Sequence, residues 1–126
     1  MNREISLFSG VDFNVNEAEG LAGICDFIIS RSREQLVLTA PVLVLVEAKN
    51  EDLKKGYGQC IAEMIAALQY NRQNGLEYDS MHGAVTIGNI WRFLKLERNI
   101  VHIDISEYYI NQVERILGIL FHIINR

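Results

Sequence analysis

The sequence predicts an α/β (α+β) fold in which helices flank a mixed β-sheet, with the element order β-β-β-α-β-β-β-α. Three observations predict it: stretches of strand length come first, a long segment with helical periodicity follows, and three more short strands lead into a second amphipathic helix. The 126 residues are expected to form one domain, residues 1–126, because a single hydrophobic core stops growing only at about 250 residues.

The first three predicted strands differ in how their apolar side chains are arranged. Residues 10–16 alternate apolar and polar side chains, which is typical of a strand with one buried face. Residues 21–30 are apolar on both faces apart from Asp26, and residues 41–49 are apolar until Glu47. Strands of this kind lie centrally in a sheet that is covered on both sides.

The segment after these strands predicts a helix over residues 51–72. Asn50 offers an N-cap, and Glu51 and Asp52 place negative charge in the first turn, where the helix dipole favours it. The apolar side chains of this segment recur at helical spacing, at Leu53, Tyr57, Cys60, Ile61, Met64 and Leu68. The Asn74–Gly75 pair then ends the helix.

Three short strands are predicted in the second half of the chain, over residues 83–88, 90–96 and 100–105. A turn at residues 88–89 separates the first two strands, and residues 97–99 turn into the third. These strands complete the mixed sheet.

Ser106 is expected to cap a last helix with a broad apolar stripe. The stripe consists of apolar residues three and four positions apart and is widened by their neighbours: Ile110, Val113, Ile116, Leu117, Leu120, Phe121, Ile123 and Ile124. Two helices are few to cover both faces of a sheet in so hydrophobic a chain. We therefore predict a homodimer, with this helix or the exposed sheet face in the interface. The alternative is packing within the chain that buries the whole stripe.

The composition excludes some classes of function. Twelve lysines and arginines against sixteen aspartates and glutamates leave a formal charge of −4, which excludes a uniformly cationic surface for nucleic acid. Any contact with DNA must therefore be local or depend on bound metal. Because 49% of the residues are hydrophobic, a disordered chain is also excluded.

The expected location is cytoplasmic, with no membrane association. The longest apolar run, residues 40–46, is far shorter than the roughly 20 residues of a membrane helix, and no basic leader with an apolar stretch begins the sequence. Cys25 and Cys60 have no second cysteine or paired histidine nearby. They are expected to be reduced, packed thiols and not zinc ligands.

Three charged residues interrupt or end strands that are otherwise apolar: Asp26, Glu47 and Lys49. Burial of an unpaired charge is costly, so such residues are paired, neutralised or bound to metal. Because side chains alternate along a strand, Glu47 and Lys49 share one face, and Asp26 joins them if the two central strands are neighbours. Two carboxylates and an ammonium would then share one site.

Two carboxylates in one site favour a divalent cation, and oxygen ligands suit Mg²⁺, with Mn²⁺ as a substitute. A lysine beside the cation can orient or deprotonate a bound water, or stabilise the charge that develops on the phosphoryl group. This chemistry is metal-assisted hydrolysis of a phosphodiester. The alternative from the same spacing is a buried Asp–Lys–Glu ion network with no catalytic role.

G-x-x-D at residues 23–26, an apolar strand that ends in Glu47-Ala48-Lys49, and Gln59 in the next helix together resemble the PD-(D/E)xK nuclease superfamily. This superfamily includes restriction endonucleases, Holliday-junction resolvases and repair exonucleases, and the chain is similar to its small cyanobacterial members. The resemblance covers about residues 10–105, and β-β-β-α-β is the order of the family core. It implies a restriction-endonuclease-like fold and a hydrolase that cuts DNA with Mg²⁺.

The resemblance also implies roles for individual residues. Asp26 would be the metal-binding aspartate, Glu47 the second acidic ligand, and the backbone carbonyl of Ala48 the last protein ligand. Lys49 would be the catalytic lysine. Gln59 would support this lysine or contact DNA, and the alternative is an ordinary surface role for Gln59.

One feature departs from the family pattern. The family core begins with a helix that often bears a glutamate facing the site, whereas residues 1–9 are too few for such a helix. This helix is expected to be absent, truncated or supplied from elsewhere, or the last helix of the chain covers that face of the sheet in its place. Glu17 and Glu19 offer a replacement carboxylate unless they lie in a solvated turn. A catalytically inactive nuclease-fold module that binds a partner or dimerises is therefore the alternative function.

The other polar residues suggest no second catalytic arrangement. His82, His102 and His122 lie far apart in the sequence and are expected to have ordinary packing or surface roles. Local positive patches for DNA contact are available at Lys54, Lys55, Arg72, Arg92 and Lys95. The alternative for charges of this kind is a solvated surface.

Overall fold

The computed structural model describes residues 6–12, 24–30, 42–49, 53–87, 90–104 and 106–124. In chain order, its elements are strands β1 (Ser6–Asp12), β2 (Ile24–Ser30) and β3 (Val42–Lys49), helix α1 (Leu53–Gln73), strands β4 (Ser80–Ile87), β5 (Ile90–Glu97), β6 (Ile100–Ile103) and β7 (Tyr108–Tyr109), and helix α2 (Val113–Ile124). The predicted order β-β-β-α-β-β-β-α is confirmed, and the two-residue strand β7 is an addition to it.

The strands form one mixed sheet in the order β1-β2-β3-β4-β5-β6, and β7 pairs with β5 beside this path. Paired strands are antiparallel except for β3 and β4, which are parallel. Parallel neighbours require a crossover connection, and α1 is that connection. The carboxyl ends of β3 and β4 therefore lie at the same edge of the sheet.

Strand β3 is buried on both faces, as its continuous apolar sequence predicts. One face of the sheet packs against α1 in a cluster that includes Leu45 and Cys60, and the other packs against α2 in a cluster that includes Val44 and Ile116. The described side chains of the stripe predicted for α1 all belong to the first cluster or pack on it: Tyr57, Cys60, Ile61, Met64 and Leu68. The central position predicted for β3 is thus confirmed.

A buried asparagine connects the end of α1 to the start of β3. The Oδ1 atom of Asn71 accepts a hydrogen bond from the backbone N–H of Val42 at 2.8 Å, and the Nδ2 atom donates to the carbonyl of Val42 at 3.0 Å. Loss of either bond would leave a buried polar group unsatisfied, so the pair of bonds holds α1 at one position along β3. Helical periodicity alone does not indicate this contact.

Several predicted strand boundaries are wrong by a few residues. β1 begins at Ser6 and not at residue 10, because it pairs with β2 from Ser6 onward. β4 begins at Ser80 and not at residue 83, because its whole length pairs with β5. β6 ends at Ile103 and not at residue 105, because its pairing with β5 ends at Ile103. The partner strand, more than the alternation of side chains, sets where a strand begins and ends.

The predicted cap of the last helix is also wrong. The N–H of Ser106 donates to Oδ1 of Asp104 at 2.9 Å, and the residues that follow form β7 and not a helical turn. A 3₁₀ turn, Ile110–Gln112, then leads into α2, and the side chain of Gln112 accepts the N–H of Tyr109 at 3.1 Å. Pairing of β7 with β5 thus takes precedence over the local capping preference of serine.

Some predicted features lie outside the described residues, namely the N-cap region 50–52, the turn at residues 88–89 and the carboxylates Glu17 and Glu19. The side chain of Cys25 also lies outside them, whereas Cys60 is a free, buried thiol, as expected. Neither of the two helices in the described part of the chain is long and apolar enough to cross a membrane.

Gly83 marks a close approach between β4 and α1. A Cβ atom at this position would lie 2.7 Å from Sγ of Cys60 and 2.8 Å from Sδ of Met64. We expect Gly83→Ala to lower the free energy of unfolding by about 1–3 kcal/mol, because overpacking a filled core forces its side chains to shift. Urea unfolding followed by circular dichroism measures this change.

Gly58→Ala is the matched control for this substitution. A Cβ atom at Gly58, within α1, meets nothing within 4 Å. Alanine there should leave stability unchanged or raise it by up to about 1 kcal/mol, because alanine is the better helix former. A Gly83→Ala protein as stable as the wild type would contradict the close packing of β4 on α1.

Candidate functional site

Asp26 and Glu47 lie on the same face of two neighbouring strands. β2 and β3 pair with Ile28 opposite Leu45, and both of these residues belong to the cluster beneath α1. Since side chains two residues apart share a face, Asp26 and Glu47 also lie on the α1 face. When the same register is extended by one pair, they stand opposite each other, where Cβ atoms are about 5 Å apart.

The two carboxylates differ in burial. Only 1% of Glu47 is exposed to solvent, whereas Asp26 is half-buried at the rim. Glu47 follows the fully apolar run Val42–Val46, and β3 carries it into the space beneath α1. A carboxylate in that position stays charged only when hydrogen bonds, an opposite charge or a metal ion compensate for its lost solvation.

Asp26 contacts the backbone of β3 directly beside Glu47. Its Oδ2 atom accepts a hydrogen bond from the N–H of Ala48 at 2.8 Å. The backbone ladder between β2 and β3 reaches the pair Phe27–Val46, so this carboxylate acts as the acceptor for β3 beyond the end of the ladder. A carboxylate has two oxygens with several lone pairs, and this bond is therefore compatible with a second ligand.

Ala48 and Lys49 form the last pairs of β3 with β4, opposite Thr86 and Ile87. This is the edge of the sheet where the carboxyl ends of the two parallel strands meet. By alternation, Lys49 is on the same face of β3 as Glu47. The structure describes only the backbone of Lys49, and its catalytic role stays a prediction.

The pKa of the Cys60 thiol on α1 is affected by the negative charge of this region. Its thiol is buried against β4, with Sγ 3.8 Å from the carbonyl oxygen of Ala84. Burial raises the pKa of the Cys60 thiol, and the negative charges of Glu63 and Glu47 raise this pKa further. The thiol is therefore expected to stay protonated at neutral pH, which disfavours a role as a nucleophile. Because both carboxylates act on one thiol, Glu63 and Glu47 belong to the same region.

Glu63 is a candidate that reasoning from the sequence misses. It lies three residues after Cys60, at the edge of the helix face that packs on the sheet, and it is partly buried there. In the sequence, Glu63 is indicated only by its position beside the apolar stripe of α1. The negative charge of Glu63 acts on Cys60, as that of Glu47 does.

Gln59 and Tyr57 occupy different sides of α1. Gln59 is exposed, which agrees with the alternative of an ordinary surface role. Its support of Lys49 stays a prediction. Tyr57 packs on the cluster beneath α1, and its hydroxyl is buried with no hydrogen-bond partner among the described residues. A hydroxyl of this kind is costly to bury, so Tyr57 supplies an unused donor one turn before Cys60.

The donor set at this edge consists of oxygen atoms. Within the described part of the chain, no three side chains of His, Cys, Asp or Glu are placed to bind one metal ion together. Asp26 and Glu47, with the backbone carbonyl of Ala48 that the resemblance implies as a ligand, would be a smaller set of two carboxylates and one carbonyl. Mg²⁺ is commonly bound through one or two carboxylates and keeps several waters, so this set fits hydrated Mg²⁺. It does not fit zinc, which takes histidine and cysteine ligands.

No protein-family model, curated protein or solved structure matches this chain at a significant level. The function is therefore inferred from the geometry and chemistry of the site.

The raised pKa of Cys60 predicts how stability changes at alkaline pH. A thiol whose pKa is higher in the folded protein stabilises the fold below the pKa of the unfolded thiol, and this contribution is lost as the pH rises. Between about pH 7.5 and pH 10, we expect the wild type to lose about 1.4 kcal/mol more stability than Cys60→Ala.

Urea unfolding of both proteins at a series of pH values measures this difference. Tyr70, whose pKa burial also raises, is present in both proteins, and its contribution cancels in the comparison. An identical dependence of stability on pH in the two proteins would show that Cys60 is not shielded from solvent.

Proposed function

We propose that this chain is a nuclease-like domain of the PD-(D/E)xK type that hydrolyses DNA phosphodiester bonds with Mg²⁺ through Asp26, Glu47 and Lys49. The observation that carries the proposal is the placement of Asp26 and Glu47 on one face of neighbouring strands, at the edge where β3 ends. The chain order β1-β2-β3-α1-β4 supports a restriction-endonuclease-like fold, because the resemblance implies that order for the family core. A cytoplasmic location belongs to the same proposal.

Each residue has a role that follows from its position. The carboxylates of Asp26 and Glu47 and the carbonyl of Ala48 would hold the ion, which supplies a Lewis acid and a water of lowered pKa when bound. Lys49 would donate to a phosphate oxygen or take the proton of the attacking water. Burial of Glu47 strengthens these interactions, because charges interact more strongly where the effective dielectric constant is low.

Glu63 adds negative charge near Glu47, because the charges of both residues act on Cys60. Asp26, Glu47 and Glu63 are not placed to bind one ion together. The resemblance implies a glutamate on the helix that begins the family core, whereas Glu63 lies on α1, after β3. Repulsion between neighbouring acids is relieved by a divalent cation, by protonation or by nearby ammonium groups.

Contact with DNA would be local. Arg92 pairs with Glu107 at 3.2 Å and Lys95 pairs with Glu97 at 3.6 Å, so these two cations already have acidic partners. Lys55 on α1 is exposed. With a net charge of −4, bound metal must supply much of the attraction for phosphate.

A catalytically inactive nuclease-fold module for binding or dimerisation is the second candidate function. The depth of Glu47 favours it, because a carboxylate that is 1% exposed can also belong to an internal ion network. The two candidates predict different results for metal binding and for cutting.

Calorimetric titration with Mg²⁺ and Mn²⁺ tests the metal site, and incubation with plasmid and oligonucleotide DNA tests cutting. We expect Asp26→Asn to weaken metal binding, and Lys49→Ala to slow cutting by about 100-fold or more, the scale of a lost acid–base or electrostatic group. Arg115→Ala removes an exposed cation of α2, on the other face of the sheet, and should cut as the wild type does.

The outcomes separate the alternatives. Metal binding without cutting supports the inactive module, and absence of metal binding supports a plain ion network. Cutting that survives Lys49→Ala would show that other residues, or a contaminating enzyme, carry the activity.

We also propose that the chain forms a homodimer through α2. Ile116 and Ile123 of its apolar stripe are buried against the sheet, but Leu117 and Phe121 are 58% and 54% exposed. These two residues lie one turn apart and form a ridge on one flank of the helix. Packing within the chain therefore does not bury the whole stripe, because these two described residues stay exposed. A second copy of the chain offers the same ridge for a two-fold interface.

Size-exclusion chromatography with light scattering at several concentrations tests the dimer. Phe121→Lys should give a monomer, because it places a charge in the proposed interface. Ile65→Lys, which alters a 38% exposed isoleucine of α1, is the matched control and should leave the dimer intact. A wild-type protein that is monomeric at every concentration would refute the dimer.

A further inference from the structure

All three histidines of the chain line one cavity on the face of the sheet that α2 covers. His82, His102 and His122 come from β4, β6 and α2, and the cavity, which is open to solvent, has a volume of about 320 Å³. The expectation of separate packing or surface roles rests on their wide spacing in the sequence. The fold brings all three to one place.

Two of these histidines flank a lysine across three neighbouring strands. His82 lies opposite Lys95 in β5, and Lys95 lies opposite His102. In antiparallel pairs, side chains directly opposite each other share a face and have Cβ atoms about 5 Å apart. We call His82, Lys95 and His102 the histidine row; it places an ammonium between two imidazoles, and His122 borders the same cavity from α2.

This arrangement favours an anion over a metal cation. The ammonium of Lys95 repels a cation held by the imidazoles beside it, and the described residues contain no three metal-binding side chains placed for one ion. Positive charges directly opposite each other across strands are destabilising when the imidazoles are protonated. A bound anion replaces that repulsion with charge-assisted hydrogen bonds.

Two carboxylates lie near the histidine row. Glu97 pairs with Lys95 at 3.6 Å, and because both side chains are 41% exposed this ion pair is weak and can yield to a ligand. Asp104 borders the cavity and accepts hydrogen bonds from the N–H of Ser106 at 2.9 Å and from the hydroxyl of Tyr108 at 3.4 Å. These bonds hold the carboxylate toward the residues that follow β6, while its negative charge offsets part of the positive charge of the row.

The floor of the cavity is apolar and its border is basic. Phe93, Ile119 and Ile123 form this apolar floor. Arg115 borders an adjoining cavity on the same flank of α2 as His122, and it adds positive charge beside the first cavity. A ligand with an anionic head and an apolar body matches both parts of this lining.

We propose that this cavity binds a small organic phosphate monoester, with its phosphate on the histidine row and its apolar part on the floor formed by Phe93, Ile119 and Ile123. A phosphate accepts several hydrogen bonds at once, and the row presents donors from three adjacent strands. The cavity lies on the face of the sheet opposite to Asp26 and Glu47. This binding is therefore independent of the proposed nuclease activity.

Nuclear magnetic resonance of the untagged protein tests this site, because the imidazole Cε1–H signals come only from the three cavity histidines. Phenyl phosphate and inorganic phosphate are the probes. We expect saturable shifts of these signals, and tighter binding of phenyl phosphate than of inorganic phosphate because its ring packs on the apolar floor.

Lys95→Gln and His102→Gln should each weaken binding of phenyl phosphate by about tenfold, as expected for loss of one charge-assisted bond. Arg72→Gln removes one positive charge from an exposed residue of α1, on the other face of the sheet, and should bind as the wild type does. Absence of saturation, equal weakening in all three variants, or saturable shifts with Zn²⁺ but not with phosphate would each overturn the proposal.

Discussion

Burial of β3 on both faces is the constraint on which the rest of this structure depends. A strand with no polar face must lie in the interior of the sheet and be covered by a layer on each side. The chain meets this requirement by passing α1 over one face before β4 pairs in parallel, while α2 covers the other face. Asn71 then fixes the position of α1 along β3 through two hydrogen bonds to Val42. Because β3 continues without a break into Glu47, the same burial that stabilises the sheet also brings a carboxylate beneath α1.

The sheet separates two polar regions of different chemistry. On the α1 face, Glu47 is buried, Glu63 is partly buried and Asp26 lies at the rim. On the α2 face, the histidine row borders a cavity with an apolar floor. An apolar residue in place of Glu47 would avoid the cost of burying a charge, so retaining an acid there is better explained by a ligand or an ion partner than by stability. The two faces share a scaffold but bind ligands of opposite charge in the functions proposed here.

Much of the fold could be predicted from local pattern, because apolar periodicity reports burial directly. The two-faced apolar run of β3 and the stripe of α1 at Tyr57, Cys60 and Met64 are found where the pattern predicts them. Element ends were less predictable, since they depend on pairing partners elsewhere in the chain. Ser106 shows this: its residue type favours a helix cap, yet β7 pairs with β5 and the helix begins later.

For the candidate site, the sequence alone determined that Asp26, Glu47 and Lys49 are out of place in apolar strands, and strand alternation already put Glu47 and Lys49 on one face. Only the tertiary structure decided that β2 and β3 are neighbours in the register that sets Asp26 beside Glu47, and that α1 adds Glu63. The same holds for His82, His102 and His122, which no spacing in the chain connects. The physical reason is that a charged residue within an apolar strand can be recognised from one segment, whereas contact between charged residues depends on how segments pair. Residue types along a segment indicate which positions are buried, but they do not indicate strand register or the path of a crossover.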